Sequence, residues 1–168
     1  MRAMAGVLLA VLAAGPVRAD DEAPQYKDGE VFLVDEVFPF PENGRVPLSL
    51  KLGPVDITEV RIEKMPSKSE VANARRNSEK SRVEPIVMVK GMDDPDDVLD
   101  GLEIRAVIEV ALEDDVGEQV ISCIKVVEID PGEIDDVSPC TLGARTLYTQ
   151  DWPRVKFISL KAKVNLER

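Results

Sequence analysis

The chain has 168 residues, of which 44% are hydrophobic and 32% charged, and its formal net charge is −11 with no histidine. The apolar fraction is close to the globular average, so a chain of this length can bury one core and is not disordered throughout. The missing histidine excludes Ser-His-Asp and Cys-His catalysis, His-ligated zinc and an imidazole pH switch.

Residues 1–19 read as a signal peptide. Met1-Arg2 supplies a basic start, Ala3 to Ala14 an apolar run, and Gly15-Pro16 a helix break. Val17 and Ala19 then stand three places and one place before a cut after Ala19. The apolar run is shorter than the ~20 residues that span a bilayer comfortably, although an uncleaved N-terminal anchor is the competing reading. Cleavage removes Arg2 and Arg18 and no acid, which leaves a net charge of −13. We expect an exported protein, located in the periplasm, outside the cell or at the cell surface, with no stable membrane insertion after cleavage. Its sign is wrong for a nucleic-acid footprint, so no nucleic-acid partner is expected.

Residues 20–29 are polar, contain Pro24 and Gly29, and read as a flexible leader to a single domain over 30–168. Residues 30–38 are rich in β-branched and aromatic side chains and predict a strand. The cluster 39–44 predicts a turn. Over 45–52, Val46, Leu48, Leu50 and Leu52 alternate with polar residues at the period of a half-buried strand. A third strand follows Gly53-Pro54 over 57–65. Strict alternation groups Ile57 with Glu59 and Arg61, and turns Val60 and Ile62 inward.

Pro66 ends that strand. Ser67 and Glu70 have capping-box spacing, which predicts a short, exposed helix over about 68–80, with a flexible basic loop as the alternative. Ile86 to Val89 marks a strand over 83–90. Residues 102–113 alternate most cleanly of all, with Leu102, Ile104, Ala106, Ile108, Val110 and Leu112 on one face. Residues 118–129 are again β-rich, and the two segments predict a long antiparallel hairpin around the turn 114–117. Residues 130–140 read as a loop and 145–149 as a short strand. Residues 155–166 close the chain as a strand with Ile158, Leu160, Ala162, Val164 and Leu166 on its inner face.

Seven or eight strands with short connections predict an all-β fold, an antiparallel immunoglobulin-like β-sandwich, with a small barrel as runner-up. The Cys…Trp…Cys order of antibody domains is absent, because Trp152 follows both cysteines. Cys123 and Cys140 are an even pair in a chain read as exported, so a disulfide is expected between them.

Residues 91–136 carry 16 acids against 2 bases. Within them, the loop holding Asp93, Asp94, Asp96 and Asp97 should meet the loop holding Asp130 at the open end of the hairpin. These five carboxylates are the candidate metal ligands, and calcium is the ion their oxygens would suit. They lack EF-hand spacing, and a solvated acidic rim is the preferred reading. Tyr148 and Trp152 are candidate interaction residues, although Trp152 is better placed to plug one end of the core. No nucleophile–base pair, phosphate loop or metal motif appears, so no catalytic residue and no cofactor is assigned. The expectation is a non-enzymatic protein-interaction module, an accessory part of a cell-envelope assembly of the secretion, adhesion or motility type. Its partner would be another envelope or extracellular protein. The alternatives are a calcium- or small-ligand-binding module and a small hydrolase using paired carboxylates.

Overall fold

The computed structural model describes residues 25–74, 79–94, 97–99, 101–140 and 145–168. The leader 1–19 and part of the segment 20–29 lie outside the described residues. Among the described residues nine strands form: β1 (Val31–Pro39), β2 (Arg45–Leu52), β3 (Val55–Glu63), β4 (Lys80–Gly91), β5 (Glu103–Glu113), β6 (Gln119–Ile129), β7 (Ile134–Val137), β8 (Arg145–Tyr148) and β9 (Phe157–Glu167). One helix, α1 (Lys68–Ala74), follows β3, and a 3-10 turn over Thr149–Arg154 links β8 to β9. The strands pair antiparallel in two sheets, as the alternating pattern predicts. One sheet has the order β1-β9-β5-β6; the other runs β2-β3-β4-β7, with β8 also pairing with β4.

The core lies between the sheets. The even-numbered residues Ile104 to Leu112 of β5 and Ile158 to Leu166 of β9 are buried, as are Ile62, Val83, Val87 and Val89 opposite them. The inner faces of β5 and β9 were legible from period-two alternation, because a strand's side chains point alternately to its two sides. The β5–β6 hairpin is present, and its register runs from Ile104↔Ile129 to Leu112↔Ile121 before a shift between Leu112 and Glu113.

In β3 the register shifts between Ile57 and Glu59. That extra residue reverses the phase of alternation, so Ile57 and Val60 both face the core, both fully buried. Strict alternation had set Ile57 on the opposite face from Val60. Pro85 stands in the middle of β4, where its missing N–H would break a ladder. The chain places it in a gap: residues 80–83 pair with β8 and residues 87–90 with β7. Pro85 pairs only with Ile62 of β3.

The strand β7 falls within the segment read as a loop. Its four residues, Ile-Asp-Asp-Val, are too few and too polar for a periodic signal, and pairing with β4 supplies the strand instead. The described part of the expected 68–80 helix is Lys68–Ala74; residues 75–78 lie outside the described residues, and Lys80 already belongs to β4. Its start is the expected capping box. Ser67 N–H donates to Glu70 Oε2 at 2.7 Å and Glu70 N–H donates to Ser67 Oγ at 3.2 Å. Hydrogen bonds from Ser67, its side chain first and its backbone second, hold the Glu70 carboxyl below the usual glutamate range.

Cys123 and Cys140 form a disulfide. It fastens β6, at the edge of one sheet, to the segment that leaves β7 in the other, and both residues are buried. No described helix is long and apolar enough to cross a membrane.

Candidate functional site: the outer face of the four-stranded sheet

The outer faces of the two sheets differ in chemistry. On the β2-β3-β4-β7 sheet, Arg61 is the hub. Its guanidinium makes a two-point contact with Asp136, at 2.6 and 3.3 Å, and also meets Glu59 at 3.5 Å and Glu63 at 3.3 Å. The Asp136 hydrogen bonds are the main reason that its pKa is raised above the ordinary arginine value. Lys64 pairs with Glu84 at 2.7 Å and Arg45 with Glu59 at 3.8 Å. This face is covered by ion pairs that water can solvate.

The other sheet presents apolar side chains to solvent. Cross-strand partners point to the same side, so the register gives the outer face row by row. One row is Leu33, Lys163, Val107 and Val126; the next is Asp35, Lys161, Glu109 and Ile124. Beyond these lie Val31, Asn165, Arg105 and Glu128 on one side, and Val37, Ser159, Ala111 and Ser122 on the other. Leu33 is 73% exposed, Ile124 57%, Val37 53% and Val126 48%. Single exposed apolar residues are ordinary, but neighbours on one face form a patch of the kind that marks interaction sites. Leu33, Asp35, Val107, Glu109, Ile124 and Lys161 line a shallow depression of about 350 Å³, with Lys163 beside them.

Charge within the depression is only partly matched. Lys161 pairs with Asp35 at 3.4 Å. Glu109 accepts a hydrogen bond from Ser122 Oγ at 3.3 Å, and neither Glu109 nor Lys163 has an ion pair among the described residues.

Both edges of this sheet carry a charge on the core side. Glu36 of β1 pairs with Leu160, and Lys125 of β6 pairs with Ile108; both partners are buried on the inner face. An inward charge on an edge strand opposes the addition of another strand, because a new neighbour would desolvate it. The face, rather than either edge, is therefore the open apolar surface. Its signal in the sequence was weak. β5 contributes only Val107 among Glu103, Arg105 and Glu109, and β9 contributes two lysines. The local cues are β1, where Val31, Leu33 and Val37 are apolar at odd positions and Phe32, Val34 and Phe38 at even ones, and β6, where Val120, Ile124 and Val126 are apolar at even positions and Ile121, Val127 and Ile129 at odd ones. A strand apolar on both sides has two faces to cover.

The acidic loops do meet: Gly132 N–H donates to Met92 C=O at 2.8 Å, and Gly91 N–H to Glu133 C=O at 3.0 Å. The carboxylates themselves have local duties. Asp94 accepts the N–H groups of Val98 and Leu99 at 2.7 and 3.2 Å, and Asp93 pairs with Lys90 at 3.7 Å. Asp97 adopts a left-handed φ of 52°, Asp130 is exposed, and Asp96 lies outside the described residues. Among the described residues, no group of three or more acidic or thiol side chains is placed to hold a metal ion.

At the far end of the hairpin, Asp114 is buried and organises its turn. It accepts the N–H groups of Glu118 and Val116 at 2.9 and 3.1 Å, and Arg154 Nη2 reaches it at 3.1 Å. The Glu118 backbone hydrogen bond is the largest cause that holds its carboxyl below the usual aspartate range, and Arg154 adds to it.

Trp152 is half-buried, packs against the core and meets Phe40 edge-on at 5.4 Å. With Met65, Pro66, Val71 and Pro153 these rings border a second depression of about 360 Å³. Tyr148 is exposed on β8, with the Lys80 ammonium 5.0 Å from its ring centroid. The two rings therefore have separate partners. No protein-family model matches this sequence, and no curated protein matches it significantly.

Proposed function

We propose that this chain is an exported, non-enzymatic interaction module that docks another protein of the cell envelope on the outer face of its β1-β9-β5-β6 sheet. The observation that carries the reading is the contrast between the two outer faces. One is closed by the Arg61, Lys64 and Arg45 ion pairs, whereas the other leaves Leu33, Ile124 and Val126 in water. Water-exposed apolar neighbours cost solubility in a chain that is otherwise 32% charged, and a partner that covers them offsets that cost. Export is supported by the leader pattern of residues 1–19, and a buried disulfide fits an oxidising compartment.

The test is comparative capture from an envelope fraction with a C-terminally tagged protein. Three baits are used: the natural sequence, Leu33→Asp with Ile124→Asp, and Ser49→Asp on the outer face of the other sheet. The reading predicts one partner that is lost with the Leu33/Ile124 variant and kept with Ser49→Asp. Equal capture by all three baits contradicts it.

A further inference from the structure

We infer that the first occupant of this face is a second copy of the same chain, packed face to face about a twofold axis. The inference rests on the reading of the face as a docking surface and says what covers it before the envelope partner does. Its basis is that the face is complementary to itself. Lys163 and Glu109 both border the apolar depression, and neither has an ion pair among the described residues. They stand one strand and one row apart, since Lys163 pairs with Val107 and Glu109 lies two residues along the same strand.

On a sheet with strands about 4.8 Å apart and same-face neighbours about 6.8 Å apart along a strand, a twofold axis in the interface plane can bisect that diagonal. Lys163 of one copy then faces Glu109 of the other, and the reverse contact forms by symmetry. Val107 and Val126 lie beside the same axis and fall close to their own symmetry mates. The Asp35–Lys161 pairs of the two copies meet as a neutral quartet. The contact therefore covers Leu33, Val107, Ile124 and Val126 and gives Lys163 and Glu109 a counter-ion each. A like-charged partner surface would leave Lys163 or Glu109 desolvated and unpaired, which is the costly outcome.

The test is sedimentation equilibrium of the purified protein at 0.15 M NaCl, where the Debye length of about 8 Å limits repulsion between two acidic copies. Four proteins are compared: the natural sequence, Lys163→Glu, Glu109→Lys, and the double exchange. Both positions lie on the outer face, and thermal melts by circular dichroism confirm that each variant is folded. The natural sequence should form a dimer. Each single reversal should weaken it at least tenfold. The double exchange should restore it to within about threefold, because opposite charges then meet again across the axis with their positions swapped. A natural sequence that stays monomeric at 100-fold dilution and at high concentration alike overturns the inference. So does a dimer indifferent to the single reversals, or a double exchange that fails to restore it. If the protein is monomeric yet still loses its envelope partner with Leu33→Asp and Ile124→Asp, the second copy is refuted while the docking face stands. If capture is also indifferent to those changes, both fall together.

Discussion

Reduction of the Cys123–Cys140 bond is the perturbation whose size follows most directly from the fold. The bond closes a loop with a sequence separation of 17. The chain-entropy relation assigns a loop of that length roughly 3 kcal/mol at 25 °C, by restricting the unfolded chain. The bridge joins the edge strand of one sheet to a segment of the other, so the unreduced chain begins folding with the two halves of the sandwich already tethered. A domain of this size has a urea m-value of about 2 kcal/mol per M, so reduction should lower the unfolding midpoint by roughly 1.5 M. The assay is equilibrium urea unfolding followed by circular dichroism, with and without reductant. Cys123→Ala with Cys140→Ala should reproduce the reduced curve, shifted slightly further by the lost sulfur volume in a buried site. Midpoints that agree to within about 0.3 M would refute the reasoning, because the tether would then contribute nothing beyond the precision of the extrapolation.

The Asp114 carboxyl is depressed by the Glu118 and Val116 N–H groups and by Arg154, so it stabilises the fold above its ordinary value near 3.9. That contribution is lost as pH falls through the lower folded value. Asp114→Asn keeps an oxygen for the two N–H groups but carries no charge, so its urea midpoint should fall less between pH 5 and pH 2 than that of the natural sequence; parallel curves would remove Asp114 from the acid response. Gly91→Ala should destabilise by roughly 1–3 kcal/mol, because an added Cβ would overlap the Asp130 carbonyl oxygen, which is backbone and cannot swing away. A thermal melt within 1 °C of the natural sequence would show that the two loops are not held so closely. Ile108→Ala, in the fully buried centre of β5, should cost about 2–5 kcal/mol, measured by urea unfolding, and a loss under 1 kcal/mol would contradict the assigned core.

The parts of this fold that were legible in the sequence are those decided within one strand. β5 and β9 alternate over eleven residues each, and their buried sets, Ile104 to Leu112 and Ile158 to Leu166, follow from period two alone. The Ser67–Glu70 capping box is equally local. What was hidden depends on neighbours. The bulge at Ile57/Glu59 is set by pairing with β4, and β7 is a strand because β4 has unpaired backbone beside Val87 to Lys90. The docking face is hidden most deeply. Leu33, Val107, Ile124 and Val126 come from three strands, and only the register of β1, β9, β5 and β6 places them side by side. The acidic loops show the reverse: they are conspicuous in the sequence, yet Asp94 and Asp114 spend their oxygens on nearby backbone N–H groups.

The claim on which the functional account depends is that protein covers the Leu33–Ile124 surface where the chain works. Photo-crosslinking in the native envelope reads this directly, with a photoreactive residue placed at 33 or 124 and, as a control, at Ser49 on the opposite face. The account predicts discrete protein adducts from 33 and 124 and none from 49. Adducts from 49 alone, or no adduct from either apolar position, would contradict it.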